Sequence, residues 1–271
     1  MRVSQQTLNI IGLATVAVAV AASAYDVGVK RTEYRLQPYL SRGSAELQPL
    51  TTRYGSARNS RYAEEWMLRD FFQDRRGGVF VDVGANHYQR ESNTFYLETQ
   101  LGWSGLAIEP QIKFAADYRT HRPLTTFVPL FVSDVSDRQA TLYVPSNDLI
   151  ASFDKHFAEA ESQSSANPVS SQTTTLDDIL DHHGIREVDF LSMDIELHEP
   201  QALKGFSIER FHPALVVVES HPPVRQQILD YFTSHKYVVI GKYLRADTEN
   251  LWFAPLGQAR TDSFHDSDGS H

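Results

Sequence analysis

Residues 77–86 read Gly-Gly-Val-Phe-Val-Asp-Val-Gly-Ala-Asn, and this stretch decides the fold. Val79 to Val83 is a short, largely β-branched run with two glycines before it and one after it. An apolar run between turn signals is the pattern of a strand buried on both faces, as in parallel sheets covered by helices. A glycine at the strand's end lets the backbone turn tightly and come close to a ligand.

Working outward, strands alternate with helices. A helix from Ser92 through Leu101 leads to a second strand, Leu106 to Ile108, which ends in Glu109-Pro110. Gln111 to His121 reads as helix, Phe127 to Val132 as a third strand ending at Ser133-Asp134, and Ala140 to Val144 as a short extra strand. Residues 159–174 are rich in Ser and Gln and poor in apolar side chains, which predicts a loop. Thr175 caps a helix from Leu176 to His183, and Val188 to Met193 forms a fourth strand. A helix from Glu199 to Gly205, a strand from Leu215 to Val218, a helix from Val224 to Ser234 and strands at Tyr237–Ile240 and Leu251–Phe253 complete the pattern. Trp66, Met67 and Phe71 lie at helical spacing within 61–72 and open the domain. The order predicts an α/β class with a doubly wound, mostly parallel sheet over residues 61–256.

The totals exclude some functions. A net charge of −9 argues against a general nucleic-acid binder. With no cysteine there is no disulfide, thiolate catalysis or cysteine-bound zinc.

In an open α/β sheet, ligands bind beyond the carboxyl ends of the strands, where the winding reverses. The ends here carry Asp82, Glu109, Asp134, Asp194 and Glu219, at or beside the last strand residue. Carboxylates clustered at strand ends point to a ligand, because burying them without partners is costly. Glu109 follows Gly84 by 25 residues, a spacing that places an acid on ribose hydroxyls. The chain lacks the G-x-G-x-x-G that seats a pyrophosphate, running Gly84-Ala85-Asn86-His87-Tyr88-Gln89. A nucleoside without phosphates needs no such cradle, so an NAD-linked oxidoreductase is the weaker reading.

Phe80 to Asn86, Ser92-Asn93-Thr94, Leu101-Gly102-Trp103-Ser104-Gly105 and Ile108-Glu109-Pro110 are similar to the first half of the FkbM-type methyltransferases. Thr174 to Leu180, Asp189 to Glu196 and Leu203-Lys204-Gly205-Phe206 resemble the second half, in the same order. The resemblance implies a Rossmann-like methyltransferase fold, dependence on S-adenosylmethionine and an oxygen acceptor on a sugar, glycolipid or natural product. It places Asp82, Gly84 and Asn86 near the methionine part of the cofactor, Glu109 on the ribose, Asp134 near the adenine and Asp194 beside the reacting centre. The family commonly reads D-V-E-G-x-E where this chain has Asp194-Ile195-Glu196-Leu197-His198-Glu199, so Leu197 is expected to reshape the acceptor pocket. A second reading, given this departure, is a membrane-tethered scaffold that keeps the fold without turnover.

His87, His198 and His221 each follow a strand. Imidazole titrates near neutral pH and suits a general base, and His198 leads, with Asp194 and Glu196 as the other catalytic candidates. A divalent metal on Asp194, Glu196 and a histidine fits the ligand types, but no tight ligand spacing favours it.

From Val3 to Tyr25 no residue is charged, and Leu8 to Ala24 is dominated by Ile, Leu, Val and Ala. Seventeen helical residues reach about 26 Å, near the lower limit for a bilayer core. Lys30, Arg31, Arg35, Arg42, Arg53, Arg58 and Arg61 follow, with only Arg2 ahead, which predicts a membrane anchor at 1–24 with the domain on the cytoplasmic side. Ala22-Ser23-Ala24 keeps a cleaved signal peptide open. Residues 25–60 read as a juxtamembrane linker and 257–271 as a disordered tail.

Overall fold

In the computed structural model the described residues are 43–257. The expected segment 1–24 lies outside them, as does all but the first residue of the expected tail. Among the described residues no helix is long and apolar enough to cross a membrane.

The chain runs through α1 (Gly43–Tyr54), α2 (Glu64–Phe72), β1 (Val79–Val83), α3 (Phe95–Leu101), β2 (Ser104–Ile108), α4 (Ala115–His121) and β3 (Thr125–Val128). An excursion follows, with β4 (Phe131–Val132), β5 (Gln139–Val144), α5 (Lys155–Ser162) and β6 (Asn167–Thr174). Then come α6 (Leu176–His182), β7 (Phe190–Met193), α7 (Glu199–Lys204), α8 (Ile208–Phe211), β8 (Leu215–Glu219), α9 (Pro222–Ser234), β9 (Tyr237–Val239) and β10 (Asn250–Pro255).

The main sheet has the order β3-β2-β1-β7-β8-β10-β9. Neighbours from β3 to β8 pair in parallel, while β10 inserts antiparallel between β8 and β9. The chain winds outward from β1 to β3 and then returns to β7 on the other side, so the loops after β1 and β7 diverge and leave a crevice between them. Alternate strand residues feed two cores. Val81, Val83, Leu106, Leu191, Met193 and Val216 face one layer with α6 and α9, and Phe80, Phe190, Leu215 and Val217 face the other with α2 and Trp103.

Three local expectations change. Residues 25–60 contain α1, whose Leu47, Leu50 and Tyr54 pack against the second core; Pro49 lies inside the helix, a residue that argues against one in the sequence. Residues 159–174 are not a loop, because the last turn of α5 and the whole of β6 lie within them. Strand β6 pairs antiparallel with β5 over Gln139↔Gln172 to Val144↔Asn167 and has mostly exposed side chains, so backbone pairing rather than apolar burial makes it a strand.

The third strand breaks in two. β3 stops at Val128, Pro129 has no N–H for the ladder, and the Leu130 N–H folds back onto the Val128 carbonyl at 2.9 Å. Phe131 and Val132 then pair with β6 in a separate three-stranded sheet, order β4-β6-β5.

Candidate active site

A cleft of about 240 Å³ opens at the carboxyl ends of β1, β2, β7 and β8. Its floor begins at Gly84, whose φ is +85° and whose missing side chain is what lets β1 run beside β7. A Cβ there would stand 2.8 Å from the carbonyl carbon of Asp194, so only glycine fits. Asn86 follows in a left-handed conformation (φ 42°) and sends its backbone N–H to Glu109 Oε2 at 3.2 Å. The Gln111 N–H donates to Glu109 Oε1 at 2.9 Å. Glu109 lines the cleft while nearly all of its surface is buried. Burial raises its pKa and the two backbone donors pull it back. Each carboxylate oxygen keeps a second lone pair, so Glu109 remains able to accept from a pair of hydroxyls. The Oδ1 of Asn86 is buried at the same place without a partner.

Across from this cradle stand Asp194, Glu196, Glu219 and His221. Asp194 is held after β7 by its N–H to the Val83 carbonyl at 2.9 Å. Solvent reaches its side chain through the cleft, yet the walls strip much of its hydration and Glu219 and Glu196 add like charge. Together they hold its pKa well above the carboxylate range. Glu196 is pushed up to about 7, by burial first and by Glu219, against the pull of His221. His221 Nε2 lies 3.3 Å from the Oε2 atoms of both Glu196 and Glu219. Those distances are within ion-pair range, but the angles leave Nε2 and Glu219 Oε2 without a well-aligned hydrogen bond. The two carboxylates raise the His221 pKa to about 10, so the ring is an imidazolium at neutral pH.

The other expected residues do not line the cleft. Asp82 faces the second layer, where Thr94 Oγ1 donates to its Oδ2 at 2.8 Å; burial raises its pKa. Arg122 donates to Thr94 at 3.1 Å and to the Tyr88 carbonyl at 2.8 Å, and is paired with Glu98, so Asp82 belongs to a buried network beneath the site. Asp134 is exposed, since the break at Pro129 carries it into the small sheet's turn, where it accepts from Ser133.

His198 stacks on Phe153 (centroids 4.6 Å apart), meets Phe131 edge-on and contacts Ser133 Oγ at 3.1 Å. Burial drops its pKa to about 4. It is thus a neutral packed ring away from the cleft, and the expectation that it leads as the base is corrected. His87 Nδ1 accepts from the N–H groups of Gln89 and Arg90 and forms a turn. Of the three histidines, His221 alone reaches the site. Leu197, at φ 77°, packs against the main core rather than into the cleft, so it does not reshape the pocket by its side chain.

Several cleft residues carried no signal in strand-end reasoning. Leu142, Leu149, Ile150 and Phe157 come from the β5–α5 excursion and close one side. Asp148 ties that wall down: its carbonyl accepts from Asn86 and Gln111, and its carboxylate is paired with Lys113 and Arg90. Arg61, ahead of α2, lines the opposite wall and interacts with the charges of Asp194 and Glu219.

No curated protein matches the chain. The family described as the methyltransferase FkbM domain matches residues 82–239, more than half of the 271. That span holds the cradle at Gly84 and Asn86, the Glu109 carboxylate and the facing acidic group, and the chain belongs to the FkbM methyltransferase family.

Proposed function

We propose that this chain transfers the methyl group of S-adenosylmethionine to a hydroxyl oxygen of a sugar, glycolipid or natural-product acceptor. The observation that carries the reading is the Glu109 carboxylate, fixed by two backbone N–H groups beside Gly84, with free lone pairs for two ribose hydroxyls. The buried, unpartnered Oδ1 of Asn86 is a second polar atom in want of a donor, as an amino or hydroxyl group supplies. The carboxylate-rich wall suits a cationic donor.

When bound, S-adenosylmethionine supplies a methyl group on a sulfonium sulfur; the new C–O bond forms as the C–S bond breaks, and the electron pair stays on sulfur. The protein's part is to hold the two reactants in line, which is worth about 7–11 kcal/mol of barrier, and to remove the hydroxyl proton. Imidazolium cannot take that proton, so His221 is not the base. Glu196, held near pH 7, suits proton acceptance, which typically contributes about 10²–10⁴-fold. His221 and Glu219 position it.

The apolar run before Ala24 and the basic residues after it support an enzyme held at a membrane with its domain toward the cytoplasm, which favours an acceptor that is itself membrane-bound.

The test is calorimetric titration of the full chain and of Glu109→Gln with S-adenosylmethionine, followed by turnover assays on hydroxylated acceptors. A charged hydrogen bond is worth about 1.5–3 kcal/mol, so Glu109→Gln should weaken binding at least tenfold. Equal affinity would overturn the assignment, and tight binding without turnover on any acceptor would favour the scaffold reading.

A further inference from the structure

We propose that Glu196, Glu219 and His221 form a binding site for a divalent cation of the Mn²⁺ type. One ligand atom from each of the three lies within 4.8 Å of the others. His221 Nε2 is 3.3 Å from both carboxylate oxygens, close to the separation of about 3 Å between adjacent ligands around an ion bound at about 2.1 Å. The separation suits ligands to one ion better than mutual hydrogen bonding, because Nε2 and Glu219 Oε2 are both buried and neither finds an aligned partner.

A second observation points the same way. Glu199 is wholly buried, its Oε1 accepts the Ile195 N–H at 3.0 Å, and its Oε2 has no partner. It is close enough to Glu219 for their charges to interact. Asp194, Glu196, Glu199 and Glu219 are near enough for their charges to interact, and Arg61 acts on Asp194 and Glu219 from the cleft wall. A divalent ion at the point where the free ligand atoms of Glu196, Glu219 and His221 converge offsets the mutual repulsion of these carboxylates when they ionise.

The donor set narrows the ion. Two carboxylates favour a hard cation, while one imidazole, neutral once the ion displaces its Nε2 proton, favours a transition metal over Mg²⁺ or Ca²⁺. With three protein ligands, positions stay open toward the cleft, as in a catalytic rather than a structural site. The chemical role rests on the methyl-transfer reading: the ion draws the acceptor hydroxyl and lowers its pKa, its proton passes to the solvent that reaches the cleft at Asp194, and with the ion bound Glu196 serves as a ligand in place of the proton acceptor it is in the metal-free site. The binding itself does not depend on that reading.

The test uses the detergent-solubilised full chain, chelator-treated and without S-adenosylmethionine, titrated with Mn²⁺ while the electron paramagnetic resonance signal of free Mn²⁺ is followed. One equivalent should bind saturably. Glu219→Gln and His221→Gln should each weaken it at least tenfold, while Asp230→Asn, an exposed acid on α9 outside the cleft, should leave it unchanged. Circular dichroism shows which variants fold. In the unmutated chain, nitrogen hyperfine coupling to bound Mn²⁺ gives a readout of the histidine ligand that needs no variant. Absence of saturable binding or of nitrogen coupling overturns the site, as does equal weakening by Asp230→Asn. Calorimetry with S-adenosylmethionine on the same sample keeps the two readings apart: cofactor binding without Mn²⁺ refutes the ion alone, and Mn²⁺ binding without the cofactor refutes the methyl-transfer reading alone.

Discussion

The carbonyl of Asp194 occupies the space into which a side chain at position 84 would project, with the carbonyl carbon 2.8 Å from where a Cβ would be. β1 and β7 therefore run on as neighbours past their last paired residues, Val83 and Met193, and the cleft opens beyond that contact.

Gly84→Ala collides with backbone, which cannot swing aside, and also demands φ +85° of a residue with a Cβ. Overpacking costs about 1–3 kcal/mol and a left-handed conformation about 1–2 kcal/mol more. A stability loss of about 3 kcal/mol is expected by denaturant unfolding, with cofactor affinity falling at the same time. A variant with parental stability would mean that the two strand ends are free to separate.

His198→Gln should keep its turnover. The ring does not itself line the cleft but packs on Phe131, which does, and on Phe153 and Ser133, and at a pKa of about 4 it is neutral throughout the working range. Losing the stacked ring should lower stability by about 1 kcal/mol, the scale of an aromatic pair. A drop in kcat of a hundredfold or more at unchanged cofactor affinity would restore His198 to the chemistry.

Arg122 has no exposed surface and serves Glu98, Thr94 and the Tyr88 carbonyl at once, while Thr94 holds Asp82. Arg122→Met removes the cation and leaves Glu98 buried without it. Breaking a buried pair from one side costs about 3–5 kcal/mol. Changing both partners, Arg122→Met with Glu98→Leu, should recover part of the loss; a double-mutant cycle measures how much.

Glu64 lines the cleft rim beside Asp247, and burial with that neighbouring charge pushes its pKa up to about 7. The sign follows from the folded value lying above the ordinary 4.5. Below pH 4.5 both states hold the proton and Glu64 costs nothing. Between 4.5 and about 7 the unfolded chain releases its proton first, so stability falls as pH rises, and above 7 the full penalty is present. Glu64→Gln should therefore raise Tm at pH 8 and leave it unchanged at pH 4. A Tm difference that is the same at both pH values would show that Glu64 does not titrate in this way.

Strand identity and the Gly84–Glu109 side of the cleft could be read from local pattern. The Val79–Val83 run, the glycine after it and the acid at position 109 are set by short-range needs: burial on both faces, a turn that no Cβ allows, and a carboxylate one strand away. Neither the fate of Asp134 nor the choice among the histidines could be read this way. Pro129 ends the β3 ladder, and the chain then joins a second sheet whose partner, β6, comes from a stretch with almost no apolar signal. The backbone turns left-handed at Glu196 and Leu197, with φ of 53° and 77°, and beyond that turn the His198 ring stacks on Phe153 from the excursion. His221 instead lies between Glu196 and Glu219, two carboxylates 23 residues apart in the chain that β7 and β8 bring together. Spacing along a chain places a residue near a strand end. Which way its side chain turns there depends on backbone dihedrals and on partners from distant segments, and those exist only once the sheets have assembled.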